Sequence, residues 1–312
     1  MANAISNTFV SADAIGNRED LSDAINMISP TKTPFMSMVK KGKASAVKFE
    51  WQTDALATAA NNKVNEGSDH TSTFTAATPT VRLHNYCQIS EKEGLVSGTQ
   101  DAVSKAGRKK ELAYQVAKRG AEMKRDIEFA LTNNTTLSAT DARQTRGLPG
   151  WLATNCLVGA GAGAAPVVST NTAPVAGTDR AFTESLLKSN LQSVWTAGGD
   201  PTVIMVGGAL KQTLSTFTGN ATRTDKSEDK KLYAAIDVYA SDFGDLKVVA
   251  NRFMPTDVAF VLDMDYWTLN YLRPITKTDL AKTGDAEKFM IIAEYGLEAG
   301  QEASSGQIRD VA

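Results

Sequence analysis

One stretch constrains this chain more than any other: residues 104–133 carry its longest uninterrupted helical pattern. Leu112, Val116, Gly120, Met123, Ile127 and Leu131 recur at steps of three or four, drawing one apolar stripe along a helix. Ala113, Ala117, Ala121 and Ala130 widen the stripe with small groups that let another element approach closely. Lys109, Lys110, Glu111, Lys118, Arg119, Glu122, Lys124, Arg125, Asp126 and Glu128 put charge on the remaining faces. Ser104 is the candidate N-cap, and Asn133-Asn134-Thr135 ends the pattern. At 1.5 Å per residue the helix would span roughly 40 Å, more than a compact domain needs. Two readings fit: a long surface helix, or a spine that crosses a flat molecule. As a spine it would offer charged flanks (Lys118, Arg119, Glu122, Arg125) to neighbouring copies.

A chain of 312 residues can bury a sizeable core, as one elaborate domain or two smaller ones. Its 33 basic and 35 acidic residues nearly cancel, whereas a dedicated nucleic-acid binder shows a basic excess. Any DNA contact is expected to be local and non-specific. Cys87 and Cys156 lie far apart with no metal or disulfide spacing, which fits synthesis in a reducing cytosol. Met1–Val10 lacks a basic n-region and a long apolar run, so no signal peptide is expected. No run of about 18 apolar residues is present, so no membrane-spanning helix is expected.

Taken in order, the chain begins with an arm. Leu21, Ala24, Ile25 and Ile28 give a short helical pattern that Ser29-Pro30 stops. Thr31–Phe35 reads as extended or turn, and Phe35, Met36, Met38 and Val39 form a small apolar anchor for docking elsewhere. Val47, Phe49 and Trp51 then alternate with polar residues, as do Val81, Leu83 and Asn85, extended by Cys87 and Ile89. Between these strands, Ala57–Pro79 is rich in Ala, Asn, Thr, Ser and Gly, an unusually long connection. The pair reads as an extended hairpin with little to bury on its own. His70, Lys63 and Glu66 are the candidate contact residues of its tip.

Past the long helix, residues 159–178 read as a flexible small-residue linker and a domain boundary. An α+β layer follows: helices through Leu186–Trp195 and Leu210–Phe217, strands at 202–206, 235–239, 246–250 and 258–262, and a charged loop at 219–231. Leu269–Ile275, a Gly284-Asp285 turn and Phe289–Leu297 form closing strands, and 298–312 reads as a polar tail.

Motifs for chemistry are sparse. His70 and His84 are the only histidines; His84 and Cys87 have a ligand-like spacing without a second pair. Gly159, Gly161 and Ala164 satisfy a loose G-x-G-x-x-A pattern, but Pro166 and Pro174 follow where a helix should. Asp257, Asp263 and Asp265 could hold a divalent cation, or be surface acids at turns. Phe253, Met254, Phe260, Tyr266 and Trp267 read as core. No catalytic residue, cofactor or metal site is assigned.

The order of arm, hairpin, long helix, α+β layer and closing strands resembles the major capsid proteins of tailed bacteriophages with the Hong Kong 97 fold. The nearer resemblance is to the SU-ten-like podovirus head proteins. It is carried by Asn17-Arg18-Glu19-Asp20-Leu21, Ile28-Ser29-Pro30, Thr33-Pro34-Phe35 and Glu50-Trp51 with Asp54 and Leu56. Arg146–Gly150, Thr283–Lys288 and Glu294–Glu298 complete it. It implies an α+β fold with an N-terminal arm (1–45), an extended hairpin or E-loop (46–97) and a peripheral domain with the spine helix (98–159). An axial domain (160–262) and C-terminal strands returning to the peripheral domain (263–312) follow. It implies, too, a virion shell protein, not an enzyme. Pentamers and hexamers of itself would tile an icosahedral shell around double-stranded DNA, assembled in the bacterial cytoplasm with a portal. No long helical extension precedes the arm, so a separate scaffolding protein is expected. Some members cross-link a lysine to an asparagine; no motif here assigns such a pair. An encapsulin-like compartment shell of the same fold is the alternative, and an unrelated enzyme would need a pocket of converging titratable groups.

Overall fold

The computed structural model describes residues 30–67, 76–104, 110–140, 142–217 and 237–312. The helical pattern at 21–28, the charged 219–231 loop and His70 lie outside them.

The expected anchor forms a short helix, α1 (Pro34–Met38), where extended or turn backbone was expected; Pro34 presets its first turn. Phe35 is fully buried, with Met36 and Val39 nearly so. Strand β1 (Lys40–Lys43) follows, then β2 (Lys48–Thr53) and β3 (Val81–Tyr86), which pair antiparallel with Trp51 opposite Leu83. The hairpin pairing ends at Tyr86, earlier than the alternation suggests. Cys87 breaks the strand, and β4 (Gln88–Ser97) turns its alternate residues toward a different sheet, leaving Ile89 exposed.

After a short helix, α2 (Gly98–Ala102), the long helix α3 runs from Glu111 to Asn133. Ser104 is not its cap. The Asp101 carboxylate accepts from the Glu111 amide at 3.0 Å, satisfying a free donor at the positive end of the helix. Its far end is closed by the chain doubling back: Gly147 N donates to Asn134 O, and Asn134 Nδ2 donates to Thr145 O. Gly147 must be glycine there, because a Cβ would stand 2.5 Å from the Leu131 carbonyl oxygen. Helix α4 (Leu148–Trp151) then buries all four of its residues.

The closing strands β10 (Trp267–Leu280) and β11 (Ala286–Ala299) build a four-stranded sheet in the order β1-β10-β11-β4. Register shifts flank Pro274, which has no amide to give the ladder. One face of β11 (Phe289, Ile291, Ala293, Tyr295, Leu297) packs with Met123, Ile127 and Leu131 of α3 and with Phe35 and Trp151 in one core.

A second sheet has the order β5-β12-β9-β6-β8-β7. Its strands are β5 (Cys156–Leu157), β6 (Val203–Val206), β7 (Val238–Ser241), β8 (Gly244–Ala250), β9 (Ala259–Leu262) and β12 (Gly306–Ile308). Strands β6 and β9 are buried on both faces. Val203, Met205, Phe260 and Leu262 join the α3 core. Ile204, Val206, Ala259 and Val261 pack instead with α5 (Glu184–Thr196) and α6 (Gly208–Leu214). The tail read as polar thus supplies a central strand, with Ile308 fully buried.

Residues 159–178 are not a flexible linker. They fold back on themselves through bridges pairing Ala164 with Val175 and Val167 with Thr172. A Cβ at Gly177 would lie 2.5 Å from Gly159 O, so these glycines serve close backbone contact.

Candidate functional site

The junction of arm, helix and second sheet is built on a residue the helical pattern placed among the exposed charges. Glu128 is fully buried. Its Oε1 accepts from Phe35 N at 2.8 Å and Asn251 Nδ2 at 2.7 Å, and its Oε2 accepts from Met36 N at 2.8 Å. Burial raises its pKa, and the three hydrogen bonds oppose that shift. The correction has a plain cause: the arm anchor docks on this flank of α3 and brings amide donors with it. Glu111 is nearly buried as well, where its carboxylate accepts from Gln115.

The Arg146–Gly150 turn ties the hairpin to this body. Arg146 is 2% exposed, and its guanidinium sits 4.7 Å from the Trp151 ring and donates to Asn171 Oδ1. Burial pushes its pKa down to about 10. Asn85 of β3 donates to Arg146 O and Leu297 O, and Trp51 of β2 donates to Ala299 O at 2.8 Å while packing on Trp151. The stem is therefore bolted down on its Phe49–Trp51 side. Beyond it, 54–67 and 76–80 are exposed throughout, with Leu56 at 98% and Val64 at 69%.

The candidate contact residues fall in two places. Lys63 and Glu66 are exposed on the hairpin tip. On α3, Lys118 is exposed, and Arg119 pairs with Glu122 at 2.8 Å. Arg125 lies over Phe253 at 5.5 Å.

The chemistry candidates do not converge. Among the described residues, no three of His, Cys, Asp and Glu come together as a metal site. Asp263 caps a turn by accepting from Asp265 N, Asp265 pairs with Lys40, and Asp257 offers its carbonyl to Val311 N. His84 meets Tyr86 edge-on, while the Cys87 thiol points to Ala46 O, its pKa raised by burial to about 11. Gly159 N donates to the carboxylate of Asp310, not to a phosphate. Tyr266, read as core, is 45% exposed.

A family model described as SU10 major capsid protein matches residues 4–312. The major capsid protein of Escherichia phage Phieco32 is 31% identical over 337 residues, covering 96% of this chain and 95% of that protein. The solved capsid asymmetric unit of cyanophage A-1(L) superposes with a TM-score of 0.68 at 15% identity, covering 95% of this chain and 97% of the other. The SrpI encapsulin of Synechococcus elongatus gives a TM-score of 0.56 at 10% identity, covering 95% and 92%. The two structural likenesses show the fold; the sequence matches show the family. With a long helix against a four-stranded sheet, a second sheet beside it and a projecting hairpin, this chain belongs to the SU10 major capsid protein family and is a shell-forming phage capsid protein of the Hong Kong 97-type fold.

Proposed function

We propose that copies of this subunit close into pentamers and hexamers of an icosahedral shell around double-stranded DNA, with the hairpin tip of each lying across a neighbour. The observation that carries this is the contrast between a stem fixed by Trp51 and Asn85 and a tip whose described residues, 54–67 and 76–80, are all exposed, Leu56 to 98%. Ordering such a segment costs about 1–2 kcal/mol per residue, so its docking must be extensive. Lys63, Glu66 and His70 on the tip, and Lys118, Arg119, Glu122 and Arg125 on α3, are the proposed contact residues. A separate scaffolding protein and a portal complete the assembly in the host cytoplasm, and the role is structural, not catalytic. Near-neutral charge makes DNA contact weak and salt-sensitive.

Replacing 57–79 with an Asn-Gly turn tests the reading. The variant should fold and yield no closed particles by electron microscopy. Normal shells from it would remove the clamp. The encapsulin-like alternative is separated by contents: nuclease-protected DNA in particles from infected cells supports a phage head, and protein cargo alone supports a compartment.

A further inference from the structure

The charges of this chain nearly cancel in total, at a net −2, but not along its length. Residues 30–49 hold five lysines (Lys32, Lys40, Lys41, Lys43 and Lys48) and no acidic residue, and all five lysines are exposed. Three of them fall on β1, an edge of the four-stranded sheet that pairs with β10 alone among the described strands. The strand is held firmly. Phe35 and Val39 are buried before it and Ala44 after it, and Ala44 N donates to Tyr271 O. Gly42 lets it lie close against β10, since a Cβ there would stand 2.0 Å from Asn270 Oδ1. Two of the lysines have partners: Lys40 meets Asp265 at 2.8 Å and Lys48 meets Glu50 at 2.6 Å. Lys41 and Lys43 form no ion pair among the described residues. Alternate residues of a strand share a face, so these two side chains leave the same side about 7 Å apart.

Lysine on a free strand edge can simply discourage another strand from pairing there. That role asks nothing of Lys32 or Lys48, which lie outside β1. A protein partner would seek apolar or aromatic anchors, and no residue of 40–48 exposes a large apolar side chain. Ammonium groups on flexible stems, without such an anchor, suit a phosphate backbone, which is held by charge and not by reading bases. We propose that β1 and its flanks are the surface through which this subunit meets the phosphates of double-stranded DNA, with Lys41 and Lys43 as the principal contacts. The contact has no sequence preference and is confined to this one basic strip of a near-neutral chain. The proposal rests on the shell reading above and gives its DNA contact a place on the subunit.

The salt dependence of binding between the full-length subunit and a short mixed-sequence duplex tests it. Each lysine–phosphate contact steepens the fall of log K with log salt by about 0.9. Lys41→Gln with Lys43→Gln should therefore flatten the slope by about 1.8. Between roughly 50 and 200 mM salt, wild type should then lose about tenfold more affinity than the variant. Lys41→Arg with Lys43→Arg should keep the wild-type slope. Lys124→Gln with Lys247→Gln removes the same charge from exposed positions elsewhere and should leave the slope unchanged. Equal flattening by both glutamine pairs would reduce the strip to net charge and overturn it. Assembled particles give a second measurement. In DNA-filled heads Lys41 and Lys43 should be acetylated several-fold more slowly than in shells assembled without DNA. Equal rates overturn the assignment, as do slow rates in both, which would mean that a neighbouring subunit covers β1. The Lys41→Gln, Lys43→Gln variant should close shells at wild-type yield; loss of shells would assign these lysines to a protein contact instead. The clamp is tested separately: if removing 57–79 leaves shells intact, the clamp fails and the slope measurement still decides the DNA surface.

Discussion

Between Met123 and Leu131 the stripe of α3 is closed off completely. Between Leu112 and Val116 it is only half-buried, and at Gly120 a Cβ would meet nothing within 4 Å. The spacing of apolar residues is the same in both halves. The surroundings differ: α1, α4 and β11 converge on the C-terminal half, whereas Leu112 and Val116 only border that core. Periodicity marks a face that wants cover. It does not say whether the cover belongs to the same chain, and in a shell-forming protein the neighbour is a natural source.

The largest test of this contrast pairs one substitution from each half. Ile127→Asp should cost the subunit about 4 kcal/mol, because it leaves a carboxylate unpaired in the closed core. Val116→Asp should cost about 1 kcal/mol in the subunit, where water still reaches the site. Thermal or denaturant unfolding of dilute protein measures both. Equal losses would mean that the two halves are equally enclosed.

Glu128 sharpens the comparison, since it shows how thoroughly the C-terminal half is sealed. Glu128→Ala should cost about 3 kcal/mol by orphaning the Phe35 and Met36 amides and the Asn251 amide group. Glu128→Gln isolates the charge. Burial raises the folded pKa above the ordinary 4.5, so between those values the folded chain holds more proton than the unfolded one. This contribution to stability is full below pH 4.5 and is lost as pH rises through the folded pKa. It is worth at most about 1.4 kcal/mol per pH unit. Wild-type stability minus that of Glu128→Gln should therefore fall with rising pH. Asp263 has a pKa raised in the same way, but it is present in both proteins and cancels. A difference that rises with pH would show that the hydrogen bonds, not burial, dominate.

Much of this architecture could be read from the chain, and the failures have a common cause. The stripe of α3, the alternation around Trp51, the buried strands β6 and β9 and the alternating strand β8 are local patterns with local signatures. Glu128 was unreadable because its donors lie 93, 92 and 123 residues away. The only hint was position: Glu128 continues the small-residue flank of Ala117 and Ala121, about three and two turns further along. The helix start was misplaced because its cap, Asp101, lies ten residues back across an intervening break. At 159–178 composition misled, since glycine that permits flexibility and glycine that permits close contact look alike in sequence. Strand β12 was hidden in a tail whose Gln307 is satisfied internally, donating to Pro149 O and Leu152 O.

Gly120 offers a smaller, stabilising test. Glycine in a helix interior costs about 1 kcal/mol relative to alanine, and here a methyl would meet open space. Gly120→Ala should raise subunit stability by about that amount. If shells then assemble poorly, the open space at Gly120 is filled by a neighbour; if they assemble normally, the glycine serves no contact.

The smallest effect on the subunit is expected from Arg119→Ala, on the charged side of the same helix. Arg119 and Glu122 meet at 2.8 Å one turn apart, with their side chains 39% and 24% exposed. Water screens such a pair, and two long side chains lose rotamer freedom to form it, so its net worth is about 0.3–0.5 kcal/mol. Alanine recovers part of that through its better helix propensity. The midpoint of subunit unfolding should therefore stay within about 2 °C of wild type. Assembly reads a different quantity, because a guanidinium unimportant to folding remains free to meet an acidic neighbour. Loss of shells with an unchanged midpoint would place Arg119 at an intersubunit contact. Normal shells would remove it from the proposed contact set. A stability loss as large as that of Ile127→Asp would mean that the charged and apolar faces of α3 have been exchanged.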